Sequence, residues 1–479
     1  MAKDPSLIGL DVGTTGVKAV AISPTGEVLD RAEEEYELSF PQPGWAEENP
    51  DDWWRAAEAA LARLDGGDVA GVGLTGQMHG LVVLDERLGV LRPAILWNDQ
   101  RTGRECAEIE QQIGLERLIR LTGNRALTGF TAPKLLWLRR HEPEVYAGIA
   151  HVLLPKDYVR LRLTGELATD VADASGTLLF DVAARAWSDE LAAALDVPSA
   201  WLPRALESPA VSGATVRGVP VAAGAGDQAA AALGVGVDRP GPVSVVLGTS
   251  GVVFAALPRF QADARARVHA FCHAVPEVWH AMGVMLSAAG SLRWFRDALA
   301  PGASYADLVA EAEGVPPGAG GVTFLPYLTG ERTPHADPDA RAAFTGLGAG
   351  HGRAELVRAV LEGVAFGLRD SLDLLRELGV RPQVARASGG GARSRLWLRI
   401  VASVLELPVE LTAAEEGSAY GAALLGGAAA GVFTDAHEAV ERCVRAADVV
   451  EPDSAWRSAY DEAYPRYRAL YPALKGAGV

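Results

Sequence analysis

Apolar residues fall in short blocks cut by small, polar turns. At the front of the chain, residues 7–10 and, apart from Lys18, 17–22 are apolar and flank Gly13-Thr14-Thr15-Gly16, with Asp11 near the end of the first block. Dense Val, Ile and Leu around a glycine-rich turn predict a β-hairpin over 7–22. Residues 243–256 repeat the pattern around Gly248-Thr249-Ser250-Gly251. Thr249 and Ser250 fall where Thr14 and Thr15 fall, and Val246 falls where Asp11 does. The chain therefore reads as two related halves, each opening on a hairpin, and only the first hairpin carries a charge.

The rest of the pattern fills in around those hairpins. Residues 28–38 predict a strand, and Asn49 ahead of an amphipathic run predicts a capped helix over 53–64. A short buried strand at 69–74 runs into Thr75-Gly76-Gln77-Met78-His79-Gly80, and the apolar block at 81–84 reads as its continuation. Helical periodicity covers 104–121 and 133–141, and the stretch from 177 to about 206 reads as mostly helical. A strand from 221 enters the turn Gly224-Ala225-Gly226-Asp227-Gln228, with a helix after it. Strands at 243–256 and 268–284 precede a helix after Ser287. A long helix is predicted over 354–378. A strand at 384–387 opens into Ser388-Gly389-Gly390-Gly391-Ala392-Arg393-Ser394, and another helix starts at 417. Asp238-Arg239-Pro240-Gly241 is the expected seam between a first domain, 1–238, and a second, 239–479.

Composition narrows the partners. A chain of 479 residues, 49% hydrophobic, is too long for one core and comfortable for two. A net charge of −17 argues against nucleic acid or an anionic membrane surface. It leaves room for an anion such as ATP, which backbone N–H groups and Mg²⁺ can hold. The three cysteines, Cys106, Cys272 and Cys443, lie far apart without paired spacing, which fits a reducing cytoplasm. The N-terminal residues show no secretory pattern, and no apolar run reaches membrane-spanning length.

Four stretches carry chemistry. In the first hairpin, Gly13 and Gly16 let the backbone approach a ligand and aim N–H groups at phosphate oxygens, with Thr14 and Thr15 adding hydroxyls. Asp11 beside them suits a hydrated Mg²⁺. The incidental alternative is a hairpin turn of small residues. In the 75–80 turn, at a strand end where α/β sheets bind ligands, Gln77 and His79 can hydrogen-bond hydroxyls and Met78 can pack on a sugar's carbon face. The alternative there is a satisfied turn histidine. Asp227, alone among small apolar residues, suits a general base that takes the proton of an acceptor hydroxyl in phosphoryl transfer, and helix capping by Asp227 can coexist with that role. The three glycines at 389–391 ahead of a helix suit a nucleotide.

Other signals are weaker. Residues 71–76 fit G-x-G-x-x-G, but the pattern does not open a helix, so a dinucleotide fold is set aside. His269, Cys272 and His273 lie on a strand whose alternation separates Cys272 from His273, which favours a structural strand over a zinc site.

Taken together these residues resemble the FGGY carbohydrate kinase family. Residues 129–141 (GFTAPKLLWLRRH) match its first signature, and residues 342–347 (AAFTGL) through 355–362 (ELVRAVLE) match the second. GQMHG at 76–80, RPAILWND at 92–99, LLPKDY at 153–158, FLPYLTGERTPH at 324–335 and GGGARS at 389–394 are similar to its pentulose-phosphorylating members. The resemblance runs from Leu7 to at least Leu425. It implies an α/β fold of two actin-like, ribonuclease-H-like domains with the active site in the cleft between them. It implies transfer of the γ-phosphate of ATP to the 5-hydroxyl of D-xylulose, with Mg²⁺. By motif, Asp227 matches the base and Asp11 the metal-side carboxylate, with Asp227 also near the largely hydrated metal. Gln77, Met78, His79, Asp227 and Gln228 fall at the sugar. Gly13, Thr14, Thr15, Lys18, Gly248, Thr249, Ser250, Gly389, Gly390, Gly391 and Ala392 fall in the nucleotide loops.

One position departs from the pattern. Gln228 stands where some of these members carry Asn, which makes the kinase class firmer than the particular pentulose. Glycerol-phosphorylating members carry an Arg- and Glu-bearing motif in place of GQMHG. Ribulose, a polyol or an aldonate are the alternative substrates within the family. A nucleotide-driven switch without catalysis and a sugar-responsive repressor are the alternatives outside it. The expected partners are a small sugar and a nucleotide, with a homodimer left open.

Overall fold

The computed structural model describes residues 5–414 and 417–478. It is built on two seven-stranded sheets. In the first, β1 (Ser6–Val12), β2 (Gly16–Ile22) and β3 (Val28–Glu35) run antiparallel, and β4 (Val69–Gly76) lies parallel to β1 on its other side. Beyond β4 come β5 (Val211–Ala214) and β6 (Pro220–Ala222), and the short β7 (Ala225–Gly226) pairs with the end of β4. The second sheet contains β8 (Pro242–Leu247), β9 (Gly251–Leu257), β10 (His269–Cys272), β11 (Trp279–Met285), β12 (Val384–Ser388), β13 (Val409–Thr412) and β14 (Ala446–Val450), in the order β10-β11-β9-β8-β12-β13-β14.

The two sheets share one plan. Each has an antiparallel hairpin (β1–β2 and β8–β9) with a third antiparallel strand outside it. Each places parallel strands on the hairpin's inner side (β4 and β6; β12 and β13). Parallel neighbours need crossovers, and helices supply them. The helices that matter here are α1 (Pro50–Arg63), α2 (Thr131–His141), α3 (Pro155–Thr164), α4 (Asp227–Gly234), α5 (Ala289–Leu299), α6 (Arg353–Glu377), α7 (Arg395–Leu405) and α8 (Gly417–Ala429). The duplication suggested by the matched turns thus extends to strand connectivity.

Local chemistry accounts for most element ends. Asn49 caps α1 by accepting the Asp51 N–H, and Pro50 stands at its first position, so the helix begins at Pro50 rather than at 53. Elsewhere the pattern misleads. The stretch 177–206 is not mostly helical: Phe180–Asp181 pairs with Ala186–Trp187, the only α-helix there is Asp189–Ala194, and Arg204–Leu206 is a strand. The alanine run at 192–194 supplies helical propensity, but Pro198 and Pro203 confine it. Nor does β4 continue through residues 77–80. It ends at Gly76, the chain turns with His79 at φ +69°, and Val82–Leu84 joins His151–Leu153 in a separate two-stranded sheet.

The helix α8 lies late in the chain yet packs on the first sheet. A Cβ added at Gly9 would sit 1.8 Å from the Ala419 carbonyl oxygen, and one at Gly73 would sit 1.7 Å from that of Ala422. α8 also crosses α4 at contact distance, since a Cβ at Gly421 would meet the Ala230 carbonyl oxygen at 1.9 Å. Only a seam without side chains lets the backbones approach so closely. It brings the N-termini of α4 and α8 to the ends of β1 and β4, where Asp11 lies.

Candidate active site

Asp11 projects from the end of β1, opposite Lys18 on β2. Its Oδ2 accepts a short hydrogen bond from Ser418 Oγ at the head of α8. Its Oδ1 is buried and has no hydrogen-bond partner among the described residues. Burial is the main cause that raises the Asp11 pKa. An orphaned carboxylate oxygen beside a second carboxylate, Asp227, suits a hard divalent cation such as Mg²⁺, which takes oxygen ligands. Lys18 is largely exposed and pairs with Glu33 at 3.5 Å.

Gln77 does not join the cavity that holds Met78 and His79. It is 2% exposed and turns back into the first hairpin. Its amide nitrogen donates to the Gly13 carbonyl at 3.2 Å and to Glu48 Oε2 at 2.9 Å, while Thr14 Oγ1 donates to its Oε1 at 3.4 Å. Glu48 also accepts from Trp53 Nε1 at 2.7 Å, and burial raises its pKa to about 7. Trp97 Nε1 donates to Thr14 Oγ1 at 3.0 Å. The expected sugar contact at Gln77 is therefore corrected: beyond the end of β4 the chain alternates sides, and Gln77 braces the Gly13–Gly16 turn instead. Thr15 stands exposed at the tip of that turn.

Met78, His79, Asp227 and Gln228 do meet. With Ser250, Arg332 and the apolar side chains of Phe130 and Met282, among others, they line a cavity of about 190 Å³. Glycines let these walls approach: a Cβ at Gly176 would lie 2.4 Å from the His79 ring, and one at Gly226 would lie 2.7 Å from Met78 Cγ. His79 Nδ1 is bonded to the Gly176 carbonyl at 2.7 Å. A carbonyl only accepts, so Nδ1 carries the proton and Nε2 is left as an acceptor. Burial, with lesser contributions from Lys134 and Arg332, pushes the His79 pKa down to about 3, which keeps the ring neutral. The His79 carbonyl accepts from Lys134 Nζ at 2.9 Å and from Thr131 Oγ1 at 3.0 Å, both on α2.

Asp227 is the first residue of α4, and Gly226, not Asp227, is the N-cap. Burial first, and then the negative charge of Asp11, raises the Asp227 pKa to about 7. This is the range in which a general base works best near neutral pH.

A buried charge network stands behind both loops of the cavity. Lys156 Nζ lies 2.8 Å from Asp157, 2.7 Å from Asp170 and 2.8 Å from Asp173, and all four side chains are fully buried. Arg160 pairs with Asp157 at 2.5 Å and donates to the Ala223 carbonyl in the loop leading to Asp227. Asp170 accepts from the Asp173 N–H and so caps the short helix Val171–Ala174, which leads directly to Gly176. One cluster thus holds both the Asp227 loop and the His79 acceptor.

The second hairpin faces this cavity from the other side. Thr249 and Ser250 are exposed at its tip, and Ser250 lines the cavity. Its backbone rests on the head of α5: Gly248 O accepts from Ala289 N at 2.7 Å and Thr249 O from Ala288 N at 2.8 Å. The glycine turn lies against the end of β8. Gly389 takes φ +86°, and a Cβ there would sit 2.8 Å from the Leu247 carbonyl oxygen. From Gly389, Gly390 and Ala392 a cavity of about 400 Å³ runs past Leu398 and Leu411 to Asp448. Gly391 faces inward against Leu247 and Trp397 instead.

Arg332, Lys134, Trp97 and Glu48 escaped the sequence reading. A signal existed for Arg332: Glu331-Arg332 interrupts an otherwise apolar and turn-rich segment. Nothing in its spacing says which cavity it enters.

Two α/β domains of one plan, each with a glycine hairpin, and a cavity lined from both halves by His79, Asp227, Ser250 and Arg332 describe a carbohydrate kinase of the actin-like type. Sequence profiles agree: the N-terminal domain of the FGGY family of carbohydrate kinases matches residues 6–234, and its C-terminal domain matches residues 243–430. The chain belongs to the FGGY family of carbohydrate kinases. It is 42% identical to a xylulose kinase of Escherichia coli K12 over 98% of this chain and 99% of that one. It is 46% identical to a xylulose kinase of Klebsiella pneumoniae over 87% and 89% of the two chains. Among solved structures it superposes on a "xyloylose kinase" from Brucella ovis with a TM-score of 0.93 and 43% identity, over 98% of this chain and all of that one.

Proposed function

We propose that this chain is an ATP-dependent ketopentose kinase that transfers the γ-phosphate to the 5-hydroxyl of D-xylulose, giving D-xylulose 5-phosphate and ADP. The observation that carries the reading is that Asp227, with a pKa raised to about 7, shares one cavity with Ser250 of the second hairpin. An acceptor alcohol and a phosphate-facing turn are thereby brought to one place.

On this reading each residue has a role. Asp227 orients the sugar hydroxyl and takes its proton as the new O–P bond forms. His79 accepts a hydrogen bond from a sugar hydroxyl through its free Nε2. Met78 and Phe130 pack on the carbon skeleton, and Gln228 bonds a second hydroxyl. The turns at Gly13, Thr14 and Thr15 and at Gly248, Thr249 and Ser250 grip the polyphosphate, and Lys18, exposed on β2 opposite Asp11, adds positive charge. Gly389, Gly390 and Ala392 border the nucleoside. Asp11 and Asp227 would hold Mg²⁺, largely through water, and the ion would neutralise charge on the β- and γ-phosphate oxygens. The described residues contain no helix long and apolar enough to cross a membrane. All three cysteines are buried free thiols, which supports a reducing compartment such as the cytoplasm for the enzyme.

The test is ADP release across D-xylulose, D-ribulose, pentitols, glycerol and an aldonate. D-xylulose should give the highest kcat/KM. A ranking led by another substrate would assign the chain to a different member activity of the family.

A further inference from the structure

The cavity contains a cation that the proposed chemistry leaves without work. Arg332 comes from the second half of the chain and lines the cavity together with Asp227, and its charge acts on the buried His79 ring. Among the described residues, no hydrogen bond or ion pair is made by that guanidinium. Its own segment is held rigidly. Thr333 N donates to Val284 O at 3.0 Å, Val284 N donates to Thr333 Oγ1 at 3.0 Å, and Thr333 Oγ1 donates to Arg267 O at 2.9 Å. Glu331 Oε1 accepts from Leu286 N at 2.9 Å and from Arg332 N at 2.7 Å. The segment is zipped to the end of β11, whose Met282 and Val284 line the same cavity. The position of the Arg332 backbone is therefore not an accident of a loose loop.

The polar groups of the cavity sort by what they can do. His79 presents one acceptor, because Nδ1–H is spent on Gly176. Asp227 accepts. Gln228 does both. Arg332 only donates. Hydroxyls match any of these. In an open-chain sugar the one oxygen that can only accept is the carbonyl oxygen. A ketopentose closes its furanose ring through the 5-hydroxyl, so that hydroxyl is free to accept phosphate only when the ring is open and the carbonyl is exposed. The acceptor-only atom is then present in the reacting form.

We propose that Arg332 is the specificity-determining residue for the keto group, its guanidinium donating to the carbonyl oxygen of an open-chain ketose whose 5-hydroxyl lies on Asp227. This deepens the ketopentose reading and rests on it. It also links recognition to the second half of the chain, since His79, Asp227 and Gln228 all belong to the first.

The experiment compares wild type with Arg332→Met, which keeps bulk and removes the donors, and with Arg332→Lys, which keeps the charge. D-xylulose is set against xylitol, in which a hydroxyl replaces the carbonyl, read as substrate or as competitive inhibitor. Losing a charged hydrogen bond in a closed site should lower kcat/KM for D-xylulose about a hundredfold in Arg332→Met, mostly through KM. The KM or inhibition constant of xylitol should change less than about threefold. The KM for ATP should not move, and unchanged xylitol binding shows that the variant is folded. Arg332→Lys should fall between the two. Equal losses for D-xylulose and xylitol, or a loss confined to kcat, would overturn the proposal and place Arg332 at the transferred phosphate. A wild type inert towards D-xylulose would count against the proposed function, and the binding ratio of whichever ketopentose it takes to the matching pentitol would still decide Arg332.

Discussion

The Nδ1–H of His79 donates to the carbonyl oxygen of Gly176 at 2.7 Å, and the Gly176 Cα leaves no room for a Cβ beside that ring. The bond sets the tautomer and orientation of a histidine held at a left-handed φ. Gly176→Ala should therefore push the ring out of place without touching the nucleotide loops. The KM for the sugar should rise about ten- to hundredfold, the range for one lost hydrogen bond, with the KM for ATP unchanged. Steady-state kinetics in both substrates decide it, and a selective ATP defect would contradict the placement of this loop.

Asp227→Asn keeps the shape of the side chain and removes the proton acceptor. It should bind ATP and sugar near normally and lose about 10²- to 10⁴-fold in kcat. Retained turnover would remove Asp227 from the chemistry. Calorimetry of sugar binding separates the two effects.

Lys156 is surrounded by Asp157, Asp170 and Asp173, with all four side chains out of water. Lys156→Met leaves those carboxylates without their shared cation. Breaking a buried pair from one side costs about 3–5 kcal/mol, so thermal unfolding should shift well down. In the protein that still folds, the sugar KM should rise, because the network holds the loops of His79 and Asp227. A variant as stable as wild type would show that the network relaxes around the loss.

His273 sits where the two halves meet. Its Nε2 is bonded to Val237 O at 2.9 Å, and its Nδ1 accepts from Val275 N at 3.1 Å. Only the neutral ring satisfies both, and burial pushes its pKa down to about 4 from 6.5. In the window between those values the unfolded chain binds a proton that the folded one refuses. Stability from this group is therefore complete above pH 6.5 and is lost as pH falls through about 4. His273→Gln should lose less stability than wild type between pH 7 and pH 4, by up to about 3 kcal/mol. Denaturant melts at the two pH values measure it; equal drops would contradict it.

The α8 seam is tested by a pair of glycines. Gly73→Ala places a Cβ 1.7 Å from a backbone oxygen, which no side-chain motion relieves. It should cost at least the roughly 1–3 kcal/mol of overpacking and pry α8 from the sheet. Gly103→Ala, with nothing within 4 Å of the added atom, should be neutral or stabilising by up to about 1 kcal/mol. Matched melting temperatures would contradict the seam.

The sequence alone marks several of the residues that meet in the cavity. The two hairpins could be read because a glycine turn between apolar runs is a local event. Asp227 could be read because a lone carboxylate among small apolar residues is costly to place without a purpose. Gln77 was misread for the opposite reason. It neighbours Met78 and His79 in sequence, but at the end of a strand adjacent side chains diverge. Glu48 and the Gly13 carbonyl, distant in sequence, had already claimed its amide. The helix assigned to 177–206 failed because an alanine run resembles a helix until prolines and tertiary pairing confine it.

The amino-acid order by itself determined the paired turns, the duplicated plan and the lone acid, since each depends on neighbours within a few residues. Only the tertiary structure decided that α8 returns to the first sheet, that Asp11 and Asp227 share one electrostatic environment, and that Arg332 enters the cavity of His79. The first two depend on which backbones can touch, which the missing side chains at Gly9, Gly73 and Gly421 settle, and the third on the hydrogen bonds that tie Thr333 and Glu331 to the end of β11.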